Sequence, residues 1–119
     1  MAFLGTPGKT VQILKKYNFT MQKKYGQNFL VDTNVLEGIV EASGITRQDC
    51  VLEIGPGIGT MTQYLAESAR EVVAVEIDKA LIPILEDTLS SYHNITVVNE
   101  DILKVDIRRL AEERNGGAP

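Results

Sequence analysis

The sequence predicts an α/β fold: parallel strands with helices on both faces of the sheet, preceded by a helical arm. The apolar runs at 50–54, 71–77 and 95–99 are short and lack polar alternation, as expected of strands covered on both faces. Segments with helical periodicity separate them at 60–68 and 78–91. Strands and helices in this order form parallel sheets with right-handed crossovers.

Two helices are expected before the first strand. The first runs from Thr6-Pro7 to about Asn18, because Thr favours the N-cap and Pro the first turn. Its apolar side consists of Val11, Leu14 and Tyr17. The second begins at Asp32 or Thr33 and ends at Gly44. Its apolar face consists of Val35, Leu36, Ile39 and Val40.

The helix over 78–91 contains Pro83, which a helix tolerates only in its first turn. A last short helix is expected over 106–114. His93, the single histidine, precedes the third strand and is expected in a solvent-facing loop. There is no Cys/His cluster, so no metal site is predicted.

The composition is that of a soluble globular domain, with 44% hydrophobic and 24% charged residues among 119. No apolar run approaches the ~20 residues of a membrane span. The lysine-bearing N-terminus lacks the apolar segment of a signal peptide. The lone Cys50 excludes an internal disulfide and favours the cytoplasm. Since it opens an apolar run, Cys50 is expected to pack rather than react.

The net charge of −4 is unevenly distributed. Residues 1–28 contain five lysines and no acid, whereas all 16 acidic residues follow them. A basic arm on an acidic body indicates a polyanion partner at one end. The alternative is a solvated, partly disordered leader, and charge alone does not decide between them.

The segment Glu53–Thr60, Glu-Ile-Gly-Pro-Gly-Ile-Gly-Thr, joins a predicted strand to a predicted helix. Glycines at such a turn let a ligand approach bare backbone. The spacing is G-x-G-x-G rather than the G-x-G-x-x-G of dinucleotide sites. Glu53 would repel a pyrophosphate but attract a cationic amino-acid tail, which favours S-adenosylmethionine with Glu53, Gly55 and Gly57 beside its methionine part. A glycine-rich connector without a ligand is the alternative.

Glu76 lies at the tip of the second predicted strand and Asp101 follows the third, at the edge where open α/β sheets bind ligands. Glu76 is placed to accept hydrogen bonds from the ribose hydroxyls, and Asp101 from the amine of an adenine. Ile77 and Ile102 can cover the two faces of that adenine ring. Taken singly, Glu76 can be a surface acid and Asp101 a turn residue.

Segment Lys23–Leu30 has an aromatic residue on each side of Gly26-Gln-Asn28. It suits a clasp over the cofactor, an RNA contact or simple packing, and composition does not separate the three.

Four segments together closely resemble the ribosomal RNA adenine dimethylase family. They are Lys24–Leu30, Glu53–Thr60, Val75–Asp78 and Glu100–Leu103, which carry "GQNFL", "EIGPG", "VEID" and "EDIL". The resemblance covers about residues 22–105. The family contains the small-subunit rRNA N6-adenine dimethyltransferases and the related macrolide-resistance rRNA methyltransferases.

This resemblance implies a Rossmann-like class I methyltransferase fold, with 1–30 as basic arm and cofactor clasp and 31–119 as the first part of the cofactor domain. It implies S-adenosylmethionine as cofactor, with Asn28 and Leu30 contacting it from the "QNFL" segment. It also implies dimethylation of two adjacent adenines near the 3′ end of small-subunit rRNA, in the pre-30S ribosomal particle, during ribosome biogenesis.

One departure from the family is large. Its catalytic Asn-Leu-Pro-Tyr-type motif, expected after a fourth strand, does not occur in these 119 residues, so no catalytic residue is assigned. The chain is expected to be an N-terminal fragment that supplies the cofactor-binding half and is inactive by itself. In the family's 3-2-1-4 sheet order, strand 51–54 would then be an exposed edge prone to self-association.

Two other functions remain open. An NAD-binding dehydrogenase domain shares the glycine turn and the acid, although the third glycine stands one residue early. A non-enzymatic RNA-binding or ribosome-assembly module would use the lysine-rich arm.

Overall fold

The computed structural model describes residue 4, residues 7–17 and residues 33–115. The five helices in these ranges are α1 (Pro7–Lys16), α2 (Thr33–Ser43), α3 (Thr60–Ser68), α4 (Ile82–Thr88) and α5 (Ile107–Asn115). The three strands are β1 (Cys50–Ile54), β2 (Glu71–Glu76) and β3 (Ile95–Asn99). Two 3₁₀ turns lie at Lys79–Leu81 and Ile102–Lys104.

The described strands form one parallel sheet in the order β1-β2-β3, which confirms the predicted α/β fold. Ile54 lies beside Val75, and Glu76 beside Asn99, so the carboxyl ends of the strands are in step. The predicted bounds of β1, α3 and β3 are correct.

The helix expected over 78–91 is shorter and divided. Asp78 caps the 3₁₀ turn by accepting a hydrogen bond from the Ala80 amide at 3.0 Å. Pro83 lies at the start of α4, where its missing N–H costs nothing, as predicted. The chain leaves the helical conformation at Leu89, with φ −105° and ψ 8°.

The two faces of β1 pack against different helices, because successive side chains of a strand alternate. Val51 joins a cluster with Leu65, Ala66 and Ala69, so α3 covers its face, with Val40 of α2 at the edge. On the other face, Cys50 and Leu52 line a cavity of about 650 Å³ against α5. The sheet therefore carries helices on both faces.

Cys50 is half-buried, and burial raises the pKa of its thiol. A thiol with a raised pKa is a poor nucleophile, in agreement with a packing role. His93 is exposed, as predicted.

Of the three residues predicted for the apolar side of α1, Leu14 and Tyr17 pack against a buried cluster as expected, but Val11 does not. Ile13 is 3% exposed, and both it and the fully buried Leu4 belong to a cluster with Ile84 and Leu85 of α4. Val11 is 48% exposed, because two residues along a helix turn a side chain to the opposite side. Over its described residues, the basic arm is a packed part of the molecule, whereas its polyanion partner stays a prediction.

Asp87 of α4 holds α1 in place. Its carboxylate accepts hydrogen bonds from Lys16 Nζ at 2.5 Å and from the Tyr17 hydroxyl. These two donors lie one turn beyond Ile13, which explains why the Ile13 side faces the body. They also hold the pKa of Asp87 below its ordinary range.

The expected apolar face of α2 is only partly buried. Val40 packs against the α3 cluster and Leu36 is half-buried, but Val35 and Ile39 are 55% and 51% exposed. None of the described helices is long and apolar enough to cross a membrane.

Candidate cofactor site

Hydrogen bonds to the carbonyls near the end of β2 hold the carboxyl ends of the three strands at one edge. The Gly55 amide donates to the Val75 carbonyl at 2.9 Å, which joins the glycine turn to the end of β2. The Glu100 amide and the Asn99 side-chain amide both donate to the Glu76 carbonyl, at 3.1 and 2.8 Å. The segments that contain Glu53, Glu76 and Asp101 therefore end at the same edge of the sheet.

The first two glycines of the turn have a left-handed backbone, and the first of them is open to a ligand. Gly55 and Gly57 have φ values of 71° and 63°, in the left-handed region that favours glycine. A Cβ built on Gly55 would meet no heavy atom within 4 Å. A ligand can therefore lie against the Gly55 backbone, as the sequence predicts for this turn.

The third glycine serves packing rather than access. Gly59 has φ 96°, and a Cβ there would lie 2.9 Å from Thr88 Oγ1 and 3.0 Å from Leu89 Cδ2. Thr88 is fully buried and donates its hydroxyl hydrogen bond to the Ile58 carbonyl at 2.7 Å. Gly59 thus lets α4 approach the start of α3, a role that the motif spacing does not reveal.

Glu53 is half-buried on the face of β1 that α3 covers, and its Oε1 accepts a hydrogen bond from Thr62 Oγ1 at 2.5 Å. Burial raises the pKa of Glu53 to about 7, and the nearby Glu76 carboxylate adds to the rise. The Thr62 hydroxyl opposes it by stabilising the ionised form. Near neutral pH, Glu53 is therefore divided between its charged and neutral forms.

Glu76 is the more buried of the two acids, at 3% exposure. Its Oε1 accepts from the Gly57 amide at 3.2 Å and its Oε2 from the Asp78 amide at 3.0 Å, which fixes it beneath the glycine turn. Burial raises its pKa, and these amides partly offset the rise. For both acids, burial and a neighbouring carboxylate raise the pKa, and neutral hydrogen-bond donors lower it. Two carboxyl groups held near each other therefore make this edge of the sheet electronegative.

The remaining sequence-predicted residues lie after β2 and β3. Asp101 is half-buried and caps the 3₁₀ turn, accepting from the Leu103 amide at 3.0 Å through Oδ1. Ile77 is 46% exposed and Ile102 half-buried, so Ile77 presents apolar surface near this edge. Asn28 and Leu30 lie outside the described residues.

Two residues that the sequence did not single out support the site. Thr62 holds Glu53, and Asn99 donates to the Glu76 carbonyl. Thr62 lies in the first turn of α3 and is fully buried, but a threonine at a helix start resembles an ordinary capping residue in sequence. The described residues contain no group of three acids, histidines or cysteines placed to hold a metal ion.

Comparison with known proteins identifies the relatives of this chain. The family profile described as Ribosomal RNA adenine dimethylase matches residues 18–116. A Ribosomal RNA small subunit methyltransferase A from Lachnoclostridium phytofermentans is 68% identical over 120 residues. That alignment covers 100% of this chain but only 41% of the relative.

Two solved methyltransferase structures are similar to this chain. The 23S rRNA methyltransferase ErmE superposes with a TM-score of 0.62 at 42% identity, over 66% of this chain and 32% of ErmE. Phosphoethanolamine N-methyltransferase 1 of Haemonchus contortus, solved with S-adenosylhomocysteine, gives a TM-score of 0.55 at 26% identity. It matches 59% of this chain and 15% of that enzyme.

Proposed function

Because the chain belongs to the ribosomal RNA adenine dimethylase family, we propose that it binds S-adenosylmethionine for methyl transfer to N6 of adenine in rRNA. The observation that carries this proposal is the pairing of the open Gly55 backbone with the buried Glu76 carboxylate beneath the same turn. The proposed target is two adjacent adenines near the 3′ end of small-subunit rRNA. The related protein from L. phytofermentans is a small-subunit rRNA methyltransferase by name.

The charges of the site favour a cationic ligand over a dinucleotide. S-adenosylmethionine carries a sulfonium and an ammonium and has no phosphate, whereas NAD carries a pyrophosphate. Bringing a pyrophosphate beside Glu53 and Glu76 would place like charges together in a partly desolvated space. The ammonium group, in contrast, would gain a carboxylate partner.

Each site residue has a proposed role. Glu53, Gly55 and Gly57 flank the methionine part, and Glu76 accepts hydrogen bonds from the ribose hydroxyls. Asp101 accepts from the adenine amine. Ile77 and Ile102 pack on the ring, and Asn28 and Leu30 complete the site from the "QNFL" segment.

When bound, the cofactor supplies an electrophilic methyl group on sulfur. This chain's residues would hold that end of the cofactor, so that the target amine can lie in line with the methyl–sulfur bond. The rRNA substrate, the pre-30S particle and a cytoplasmic location belong to the same proposal. The chain spans 41% of its L. phytofermentans relative, and by itself it is expected to transfer no methyl group.

Thermal unfolding with S-adenosylmethionine or NAD tests the choice of cofactor. Saturation at 100 times the dissociation constant adds about 2.7 kcal/mol of stability, so a clear rise in Tm is expected with S-adenosylmethionine. Glu76→Gln should weaken binding at least about tenfold, since it removes a charged acceptor. Glu86→Gln, an exposed glutamate on α4, is the matched control. A shift with NAD but none with S-adenosylmethionine would reject the proposal.

The RNA target needs a separate experiment. The native gene product should methylate small-subunit particles at two neighbouring adenines, which mass spectrometry of rRNA digests would locate. Salt-dependent RNA binding that survives Glu76→Ala, with no effect of cofactor, would instead support a non-enzymatic RNA-binding module.

We also propose that this chain self-associates through β1. Among the described strands β1 has one neighbour, and Ile54 at its end is 60% exposed. An unpaired apolar edge is a template for a second chain. Light scattering should show association that Ile54→Lys abolishes and Leu103→Lys, a change at a 90% exposed leucine elsewhere, does not. A monomer at high concentration would contradict it.

A further inference from the structure

The first turns of α3 contain a fully buried threonine that the proposed cofactor contacts do not use. We propose that Thr62 is a positioning residue, which holds the Glu53 carboxylate toward the ammonium end of the cofactor. This inference rests on the proposed function, because it concerns the same ligand.

The hydroxyl of Thr62 has one proton to donate. Within a helix, a threonine commonly donates that proton to a carbonyl one turn earlier. Thr62 instead donates it to Glu53 Oε1 at 2.5 Å, across the interface between α3 and β1. The contact fixes one carboxylate oxygen on the side of α3 and restricts the rotation of the Glu53 side chain.

This geometry matters because Glu53 has an acidic neighbour. Two of the described groups act on the Glu53 carboxyl group. The Glu76 carboxylate on β2 disfavours the ionisation of Glu53, and the Thr62 hydroxyl on α3 favours it. With a pKa of about 7, Glu53 is close to the point where a small change alters its charge. A hydrogen bond to the charged form therefore controls how much carboxylate is present near neutral pH.

The consequence is a specific pH dependence of cofactor affinity. The ionised carboxylate attracts the ammonium and the neutral acid does not, so affinity should rise between pH 5.5 and 7.5. Loss of the Thr62 hydroxyl should raise the pKa of Glu53 and move this rise to higher pH. Above that range, the α-amino group of the ligand loses its own proton, at about pH 8.

Calorimetric titration of the 119-residue chain with S-adenosylmethionine between pH 5.5 and 7.5 tests the inference. Thr62→Val keeps the shape of the side chain without the hydroxyl and should weaken binding about tenfold at pH 7. Thr62→Ser keeps the hydroxyl and should remain within about threefold of the unmodified chain. Thr96→Val, the same change on the other face of the sheet, is the control. Glu53→Gln cannot ionise at this position, so its pH profile gives the reference without the titration of Glu53.

The outcomes separate the two proposals. Equal affinity and an equal pH profile for Thr62→Val and the unmodified chain would overturn the positioning role and leave cofactor binding intact. No binding by the unmodified chain at any pH would overturn both. If Thr62→Val does not fold, Glu53→Gln still decides. Equal affinity of Glu53→Gln and the unmodified chain at pH 7.5 would show that the Glu53 carboxylate has no partner in the ligand, which overturns the role given to Thr62.

Discussion

Replacing Gly59 with alanine tests whether the third glycine of the turn is there for packing. The added Cβ would lie 2.9 Å from Thr88 Oγ1, 3.0 Å from Leu89 Cδ2 and 3.3 Å from Leu85 Cδ2. Real Cβ atoms essentially never lie within 3.0 Å of such an atom, so the interface between α3 and α4 must shift. Thr88 cannot move freely, because its hydroxyl bonds to the Ile58 carbonyl.

Two costs determine the expected magnitude. A non-glycine residue at positive φ costs about 1–2 kcal/mol, and φ at Gly59 is 96°. Overpacking a buried interface typically costs about 1–3 kcal/mol more. The free energy of unfolding should therefore fall by about 2–5 kcal/mol in Gly59→Ala, a large part of the stability of a typical domain.

Urea unfolding followed by circular dichroism measures this loss, with two matched glycine changes. Gly55→Ala has a similar positive φ and no heavy atom within 4 Å of the new Cβ, so only the backbone cost of about 1–2 kcal/mol applies. Gly38→Ala lies within α2 in open space and should stabilise by about 0.5–1 kcal/mol. Equal losses in Gly59→Ala and Gly55→Ala would refute the packing role.

Three further changes have defined outcomes. Gln63→Leu should lower the free energy of unfolding by about 2–5 kcal/mol in urea, because it leaves the Leu4 amide and the Thr88 carbonyl unpaired in the interior; a loss below about 1 kcal/mol would contradict this. The pKa of Glu53 is raised from 4.5 to about 7 by folding, so the folded chain binds the proton more tightly and loses stability as pH rises through that window. Glu53→Gln should remove this loss. The difference in free energy of unfolding between Glu53→Gln and the unmodified chain should therefore favour the variant more at pH 8 than at pH 5, and a difference that does not change with pH would contradict this. Gly55→Ala should weaken S-adenosylmethionine binding in calorimetry by more than its stability loss explains, since its Cβ would enter the open space that we propose for the ligand. Unchanged affinity would contradict it.

The sequence predicted the local structure of the sheet well, because that structure depends on local signals. The run from Cys50 to Ile54 is short and apolar, and the glycines after it end the strand, so its bounds could be read directly. The bounds of α3 and β3 were also predicted correctly. The predicted helix over 78–91 was too long, because the Asp78 cap and Pro83 divide it into a 3₁₀ turn and α4.

Helix orientation was less predictable. Val11 and Val35 each fit an apolar helical stripe in the sequence, yet both are about half exposed. In α1 the buried side includes the predicted Leu14 and Tyr17 but is turned from Val11 toward Ile13, and Asp87, 70 residues further along the chain, bonds to Tyr17 there. Periodicity places apolar residues on a common side, but only the position of the partner helix determines which side is buried.

The sequence by itself determined the α/β order, the glycine turn, the acids at the ends of the strands and the likeness to the rRNA adenine dimethylase family. These follow from residue type and spacing, which act over a few neighbours. Only the tertiary structure decided that Gly59 makes room for α4, that Thr62 bonds to Glu53, and that burial brings the pKa of Glu53 to about 7. Each of these depends on desolvation or on close contact between separate elements, and neither is encoded in local spacing.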